Sequence, residues 1–311
     1  MSGLRRAATG AGFFALTALS SSSVFAHAVC GDRIFPATLG IDDPGVNDEL
    51  ALPTITVNPQ QSNGQQEFDG TFAWSKTIFP GFALQVSDGP SWVTSNSQGQ
   101  GAYGWGDLNT EAKYQLFCLP EHEFMGSVGL AVDWGFTGSN GNANGANYTT
   151  VSPVLDIGKG FGDLPKSLNI LRPLAVTAEL SEDVPNRFWT QGGAQQNSVN
   201  LNWGFTVQYS LPYYNSHVAE IDNPFLKHLI PITEFVFSAP INNVPQGGYG
   251  VTGTVQPGII YAADSWQFAL EAILPINSAS GKGVGAVGEL HFFLDDILPN
   301  SLGKPIFGGK S

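Results

Sequence analysis

The sequence predicts an all-β protein, a membrane-spanning antiparallel up-and-down β-barrel of about 12 strands. Three observations carry this prediction. The amino terminus has the residue order of an export signal, and only 13% of the residues are charged. Long segments alternate between apolar and polar residues, and the connections between them are alternately short and long.

The first 26 residues are predicted to be a secretory signal peptide. Arg5 and Arg6 precede an apolar run over residues 11–19, which is followed by serines and by small-residue cleavage patterns after Ala26 or Ala28. This order of charge, apolar run and small residues is typical of export signals. The run is too short for a membrane-spanning helix, which needs about 20 apolar residues.

The composition is unusual for a soluble domain, in which about 25% of residues are charged. Aromatic residues reach 12%, and the chain has 38 glycines. A barrel in lipid accounts for this composition because apolar side chains face outward and mostly uncharged polar side chains face inward. The net charge of −13 argues against nucleic acid as a partner.

Residues 27–50 form an irregular leader that contains Gly40, Asp42, Asp43 and Pro44. No helical apolar stripe is found there or elsewhere. We expect this leader to be a periplasmic extension or a plug-like arm. Residues 51–298 are predicted to form the barrel, and residues 299–311 a periplasmic tail.

The clearest predicted strand covers residues 199–211. Because side chains of a strand alternate between its two faces, this segment has one apolar and one polar face. The apolar face consists of Val199, Leu201, Trp203, Phe205, Val207, Tyr209 and Leu211. The polar face consists of Asn200, Asn202, Gly204, Thr206, Gln208 and Ser210. Its length suits a tilted spanning strand of about 9–11 residues with its rims.

The same alternation recurs along the chain. A first strand is predicted at residues 50–58. The others are predicted at residues 68–78, 82–87, 107–116, 127–134, 151–158 and 174–181, and at about 229–239, 251–262, 266–276 and 285–295. Closure of these strands is required because an open sheet edge in lipid would leave backbone groups unpaired.

The connections predict the orientation. Short ones are Pro80-Gly81, 119–123, 163–169 and 264–265, and longer ones rich in Gly, Asn, Gln and Ser are 95–104, 138–147, 185–197, 242–250 and 278–283. In outer-membrane barrels short turns face the periplasm and long loops face outward. Residues 215–228 are an exception, either a periplasmic excursion or a short helix.

Cys30 and Cys118 both fall on the predicted periplasmic side. In an oxidising compartment an isolated pair can form a disulfide bond. Two outcomes are open at this stage: a disulfide that fastens the leader to the barrel, or two unpaired cysteines.

The predicted inward face carries ionisable residues that are candidates for lining the lumen. These are Asp107, Glu111, Lys113, Asp133, Asp156, Glu179, Glu271, Glu289 and His291. One interpretation is a polar lumen whose acidic groups favour cations or polar solutes. The alternative is a structural lumen in which Lys113 pairs with neighbouring carboxylates and water fills the rest.

No sequence pattern indicates a metal site, a cofactor or an enzyme. His27, His122, His217, His228 and His291 lack metal-ligand spacing, and we expect residues 121–123 to be a solvent-exposed turn. The chain has no nucleophile elbow, phosphate loop or zinc cysteine pattern.

Aromatic residues concentrate near the predicted strand ends, which is typical of the interfacial belts of membrane proteins. The belt is predicted to contain Trp92, Tyr103, Trp105, Trp134, Tyr148, Trp189, Tyr213, Tyr214, Tyr261 and Trp266. A hydrophobic ligand site is the alternative interpretation.

Residues 104–114 read Gly-Trp-Gly-Asp-Leu-Asn-Thr-Glu-Ala-Lys-Tyr. This segment resembles the Gly-Asp and Lys-Tyr strand of the outer-membrane barrels grouped as the "MetA-pathway of phenol degradation" family. Residues 126–136, followed by a Gly/Asn-rich loop, resemble the next strand of that family. The resemblance extends in layout over residues 66–295 and implies transport, with aromatic or other small hydrophobic compounds as solutes.

Three functions are compatible with the sequence. The favoured one is a channel in the outer membrane of a Gram-negative cell, in contact with outer-membrane lipid, for passive uptake or efflux of small molecules. The second is a structural or adhesive barrel with a filled lumen. The third is an outer-membrane lipid-modifying enzyme, which would need a Ser or His on the outward rim.

Overall fold

The computed structural model describes residues 28–61, 64–94, 101–139, 145–248 and 250–308. The predicted signal peptide lies outside these residues, as do parts of the longest connections.

Within the described residues, twelve strands form one closed antiparallel barrel, so the predicted fold class is confirmed. The strands are β1 Glu49–Val57, β2 Glu67–Phe79, β3 Phe82–Asp88, β4 Leu108–Leu119, β5 Phe124–Trp134, β6 Thr150–Gly160, β7 Leu174–Pro185, β8 Val199–Tyr209, β9 Leu229–Asn242, β10 Thr252–Ala262, β11 Trp266–Pro275 and β12 Gly285–Phe293. Each strand pairs with its sequence neighbours, and β12 pairs with β1. Closure leaves no open edge in lipid.

The loop between β3 and β4 continues as a hairpin beyond the barrel wall. Pro90–Val93 still pairs with β2 after a break at Gly89, and Ala102–Trp105 pairs with Pro90–Val93. These short strands are therefore extensions of β3 and β4 and do not count as further strands of the barrel.

The exposure of the side chains is inverted relative to a soluble protein. On the outward face, Leu130 and Leu270 are each 49% exposed, whereas Asp156 and Glu234 on the inward face are 0% exposed. An exterior of large apolar side chains is stable where lipid surrounds it. The chain is therefore an outer-membrane protein that crosses the bilayer with its strands.

The two ends of the barrel differ, but less sharply than predicted, because two connections at one end, 161–173 and 210–228, are longer than three of those at the other end. β1 begins and β12 ends at the end that carries the short connections, which we call the short-turn end. Every connection at the opposite end, the loop end, has nine residues or more. The long connection after β8 contains a short helix, α1 Leu211–His217. No helix among the described residues is long and apolar enough to span a bilayer.

Most of the predicted aromatic belt is exposed near the ends of the barrel, as shown by Trp92, Trp134 and Trp189. The prediction is wrong for Tyr213, which is only 5% exposed. Its ring lies 4.0 Å from the guanidinium carbon of Arg33, so Tyr213 packs against the leader and not against lipid.

The leader lies inside the lumen. Ala28–Cys30 pairs with Arg33–Phe35 as a hairpin at the short-turn end, and the chain then runs through the lumen to the start of β1. We call residues 36–48 the plug loop. Phe35 is fully buried, and Leu39 packs against an apolar cluster on the inward face formed by Ile230, Ile232, Ile260, Ala262 and Ala269. Of the two expectations for the leader, the plug-like arm describes this path.

Candidate functional site in the plugged lumen

A disulfide fastens the leader hairpin to the barrel wall. The sulfur atoms of Cys30 and Cys118 are 2.04 Å apart, and 88 residues separate the two positions in sequence. Cys118 lies near the end of β4, beside the short-turn end. The hairpin therefore stays attached to the wall whatever the plug loop does.

A buried ion pair holds the same hairpin. Arg33 Nε is 3.0 Å from Glu123 Oε2, and its other nitrogens donate to the carbonyl oxygens of Pro173 at 3.1 Å and Arg172 at 2.6 Å. Burial lowers the pKa of the Arg33 guanidinium, and the Glu123 carboxylate opposes that effect. The expectation of a solvent-exposed turn at residues 121–123 is wrong for Glu123, which is 4% exposed because it pairs with the leader.

Glu234 holds the middle of the plug loop. One carboxylate oxygen accepts the backbone N–H of Leu39 at 2.7 Å, and the other accepts those of Gly40 at 2.9 Å and Ile41 at 3.1 Å. The next N–H, that of Asp42, donates to Glu179 Oε2 at 2.8 Å. Four consecutive backbone donors of the plug loop thus find acceptors on β9 and β7.

Lys113 forms a second junction, on the opposite wall from Glu234. Its ammonium group is 2.8 Å from Asp42 Oδ2 and 3.0 Å from Asp156 Oδ2, and it also donates to the carbonyl oxygen of Asp43. Asp43 is buried, and burial raises the pKa of its carboxyl group, as do Glu49 and Asp42 nearby. Lys113 therefore balances the charge of both the wall and the plug loop.

A third cluster lies at the seam between β1 and β12. His291 is 2.9 Å from Glu289 and 3.1 Å from Glu49 through its two ring nitrogens. Thr54 donates to the second oxygen of Glu289 at 2.6 Å. Since these groups bind one another across the closing strand pair, the cluster fastens the barrel seam.

Two cavities open above the plug loop, at the loop end. The larger, of about 590 Å³, has Gly40 and Ile41 in its lining together with Glu179 and Asp183. The smaller, of about 410 Å³, lies toward β2–β5 and contains four aspartates. These are Asp69, Asp88, Asp107 and Asp133. We call the two cavities the vestibule.

The predicted lumen residues occupy three places. Glu111, Lys113, Asp156, Glu179, Glu271, Glu289 and His291 lie on the inward face of their strands. Asp133 lies at the vestibule rim. Asp107 is not on the strand wall: it precedes β4, and its carboxylate accepts the N–H groups of Thr137, Gly138 and Ala146 in the next loop. Asp107 therefore orders a loop in addition to lining the smaller cavity.

Sequence reasoning missed Glu234, Arg33, Glu123, Asp42 and Glu49. Glu234 could have been found, because it shares the inward parity of Ile230 and Ile232 within a predicted strand. The other four depend on where the leader runs, and a single irregular segment carries no periodic signal for that path. Within the described part of the chain, no group of three His, Cys, Asp or Glu residues is placed to hold a metal ion.

The fold and the polar lumen define the class of this protein, an outer-membrane β-barrel. No protein-family model matches the chain, so the predicted "MetA-pathway of phenol degradation" family is not confirmed, and no curated protein matches either. Similar solved structures include the NanC porin, with 11% identity over 78% of this chain and 99% of that chain and a TM-score of 0.46.

Two further solved structures have comparable similarity. The KdgM porin is 13% identical over 77% of this chain and 98% of its own, with a TM-score of 0.42. LpxR from Salmonella typhimurium is 10% identical over 79% and 99%, with a TM-score of 0.45. At these values the similarity concerns barrel architecture and carries no argument about solute or activity.

Proposed function

We propose that this protein is an outer-membrane channel for small polar solutes with a preference for cations, and that the plug loop closes it in the state described. The observation that carries the proposal is a closed barrel with a polar lumen and an acidic vestibule. Six carboxylates line the two vestibule cavities, and no Lys, Arg or His is among their described lining residues.

The charge of the vestibule determines which solutes it concentrates. A recess lined by charges of one sign, with low-dielectric walls, raises the local concentration of ions of the opposite sign. Lys113 does not cancel this field because Asp42 and Asp156 already bind its ammonium group. Cations therefore enter more readily than anions.

The residues that line the larger cavity also indicate which class of solute the lumen accepts. Ser181, Asn202, Ser238 and Thr252 contribute polar groups to the larger cavity. An apolar recess of about 360 Å³, lined by residues that include Ile55, Phe268 and Leu270, lies on the outward face toward lipid. The lumen therefore favours small polar molecules over the aromatic or hydrophobic compounds that the sequence resemblance implies.

The connections support an orientation as well. We place the short-turn end in the periplasm and the vestibule outside, since long loops of outer-membrane barrels face outward. In this orientation the leader enters the lumen from the periplasm, and residues 299–308 lie on the periplasmic side.

Ion selectivity in planar bilayers tests the proposed function. Under a salt gradient, we expect the brief openings of the full chain, and the steady current of a variant that lacks residues 28–48 and carries Cys118→Ser, to reverse at a potential of the sign that a cation-selective pore gives. Replacing two vestibule carboxylates in the double variant Asp69→Asn, Asp133→Asn should shift that potential toward zero. Glu182→Gln, which removes an exposed carboxylate from the outward face of β7, is the matched control and should leave it unchanged.

A structural barrel with a filled lumen is the second candidate, and the leader inside the lumen is the observation that favours it. Absence of both conductance and solute flux from correctly folded protein, with and without residues 28–48, would decide for this alternative. An enzyme has less support. Ser216 Oγ is 2.9 Å from His217 Nδ1, but this pair lies on α1 at the short-turn end, and the Ser216 hydroxyl is also 2.9 Å from the carbonyl oxygen of Pro212.

A further inference from the structure

We propose that Glu234, Glu179 and Glu271 form a binding site for a small solute carrying an ammonium group, and that residues 39–42 of the plug loop occupy this site as an internal ligand. The inference rests on the channel function proposed above and names its solute class. Binding of the amine would displace the plug loop from the carboxylates, so that the solute itself opens the path.

The arrangement of donors around Glu234 is that of a ligand site. Leu39, Gly40 and Ile41 present three successive N–H groups to one carboxylate within 2.7–3.1 Å. An ammonium group also presents three N–H donors. The plug loop therefore offers the hydrogen bonds of an ammonium group without its charge.

Glu271 supplies an independent observation. It is 1% exposed, no N–H group of a described residue donates to its carboxyl oxygens, and its carboxyl group lies within hydrogen-bonding reach of the Glu234 carboxyl group. A Cβ atom at Gly258 would lie 2.3 Å from Glu271 Cγ, so this glycine lets the Glu271 side chain lie across β10, toward Glu234 on β9. Two carboxyl groups therefore share this wall and bond each other through one proton, while the plug loop donates to Glu234 alone.

Two buried carboxyl groups in contact are costly to ionise together, so they keep a proton between them unless a cation takes its place. An ammonium group between Glu234 and Glu271 would supply donors to both and a compensating charge. Charge-assisted hydrogen bonds are about twice as strong as neutral ones. An amine therefore has an advantage over the uncharged plug loop, and a neutral alcohol has none.

The site can be reached from the vestibule. Gly40 and Ile41 border the larger cavity, and Glu179 belongs to the same lining. A solute that fills this cavity of about 590 Å³ therefore meets the plug loop and one of its acceptors together. Asp183, four residues along β7 from Glu179, extends the acidic lining toward the loop end.

The two ends of the plug loop are fixed, so displacement need not release the leader. The Cys30–Cys118 disulfide and the Arg33–Glu123 pair hold the hairpin before it, and β1 begins directly after it. We expect residues 36–48 to move away from Glu234 while the hairpin stays docked.

Amide hydrogen exchange on the full chain in micelles tests the proposal. Saturating putrescine should speed exchange at residues 39–42 by about tenfold or more, since the amine lowers the free energy of local opening. Butanediol, which has the same carbon chain without charge, should have no effect. Exchange in the hairpin Ala28–Cys30 and Arg33–Phe35 should not change.

Two variants sharpen the test. Glu234→Gln should raise exchange at residues 39–42 without any ligand and remove the response to putrescine. Glu182→Gln, on the outward face, should respond as the unmodified chain does. The comparison of putrescine with butanediol needs no variant, so it holds even if Glu234→Gln folds poorly.

The outcomes separate this site from the channel function. No response to putrescine, slower exchange, or an equal response to butanediol would overturn the site. A selective amine response in a barrel that conducts no ions either with putrescine bound or after removal of residues 28–48 would uphold the site and overturn the channel function. A cation-selective pore whose plug-loop amides ignore putrescine would uphold the channel and overturn the site.

Discussion

At the residue scale, docking of the leader in the lumen depends on buried charged side chains that form ion pairs. Arg33 is 0% exposed and Lys113 is 7% exposed, and each binds a carboxylate and at least one backbone carbonyl oxygen. A charge removed from water is tolerated only when partners and hydrogen bonds compensate for the lost hydration. The leader supplies one partner of each ion pair, so its docking and the burial of these charges depend on each other.

Arg33→Met should weaken leader docking and stability by about 3–5 kcal/mol, because it leaves the Glu123 carboxylate buried without its partner. Urea denaturation in micelles measures the loss. The double variant Arg33→Met, Glu123→Gln should recover part of it, since no unpaired charge remains. Equal stability of the single variant and the unmodified chain would contradict the role given to this pair.

The surroundings of Asp295 predict that the stability of the protein depends on pH. It follows β12 and accepts the N–H of Asp48 at 3.1 Å. Burial, with the neighbouring Asp48 and Glu49, raises its pKa to about 8. The folded state binds the proton of the Asp295 carboxyl group more tightly than the unfolded state does. The contribution of this group to the free energy of unfolding is therefore complete below about pH 4 and is lost as the pH rises to about 8.

Asp295→Asn should therefore stabilise the protein by about 1–2 kcal/mol at about pH 9 and have little effect at about pH 4. Unfolding midpoints at the two pH values measure the difference. Asp222→Asn, at an exposed position in the connection after α1, is the control. The same effect of Asp295→Asn at both pH values would contradict the assignment.

At the element scale, the strands and the leader differ in how far the sequence determines them. β8 is predictable because lipid on one side and the lumen on the other impose a two-residue period over its full length. The leader has no such period, and its partners are distant: Asp42 precedes Lys113 by 71 residues, and Leu39 precedes Glu234 by 195. Alternation predicts that Lys113 faces inward but not which groups meet it there.

The fit between β8 and the plug loop gives a prediction at this scale. A Cβ atom at Gly204 would lie 2.3 Å from Ile41 Cγ2 and 2.9 Å from the carbonyl oxygen of Phe235. Gly204→Ala should therefore push the plug loop away, speed amide exchange at residues 39–42, and cost about 1–3 kcal/mol of stability. Gly288→Ala, where the nearest atoms are 3.5 Å away, is the control.

Unchanged exchange at residues 39–42 in Gly204→Ala would show that the plug loop does not rest on β8. An equal response in Gly288→Ala would show that any added methyl group loosens the barrel, whatever its position.

At the scale of the whole molecule, the barrel separates two tasks. The wall provides a lipid-facing exterior and a polar lumen, both of which alternation in the sequence predicts. The leader closes that lumen from the short-turn end, while the vestibule stays open at the loop end. In the proposed channel, passage therefore depends on one 13-residue segment, residues 36–48, between fixed points.

Single-channel conductance tests this central claim most directly. The full chain is compared in planar bilayers with a variant that lacks residues 28–48 and carries Cys118→Ser, after circular dichroism has verified its strand content. We predict that the full chain is closed or opens only briefly, and that the truncated barrel conducts steadily with cation selectivity. Equal conductance of the two proteins would contradict the account.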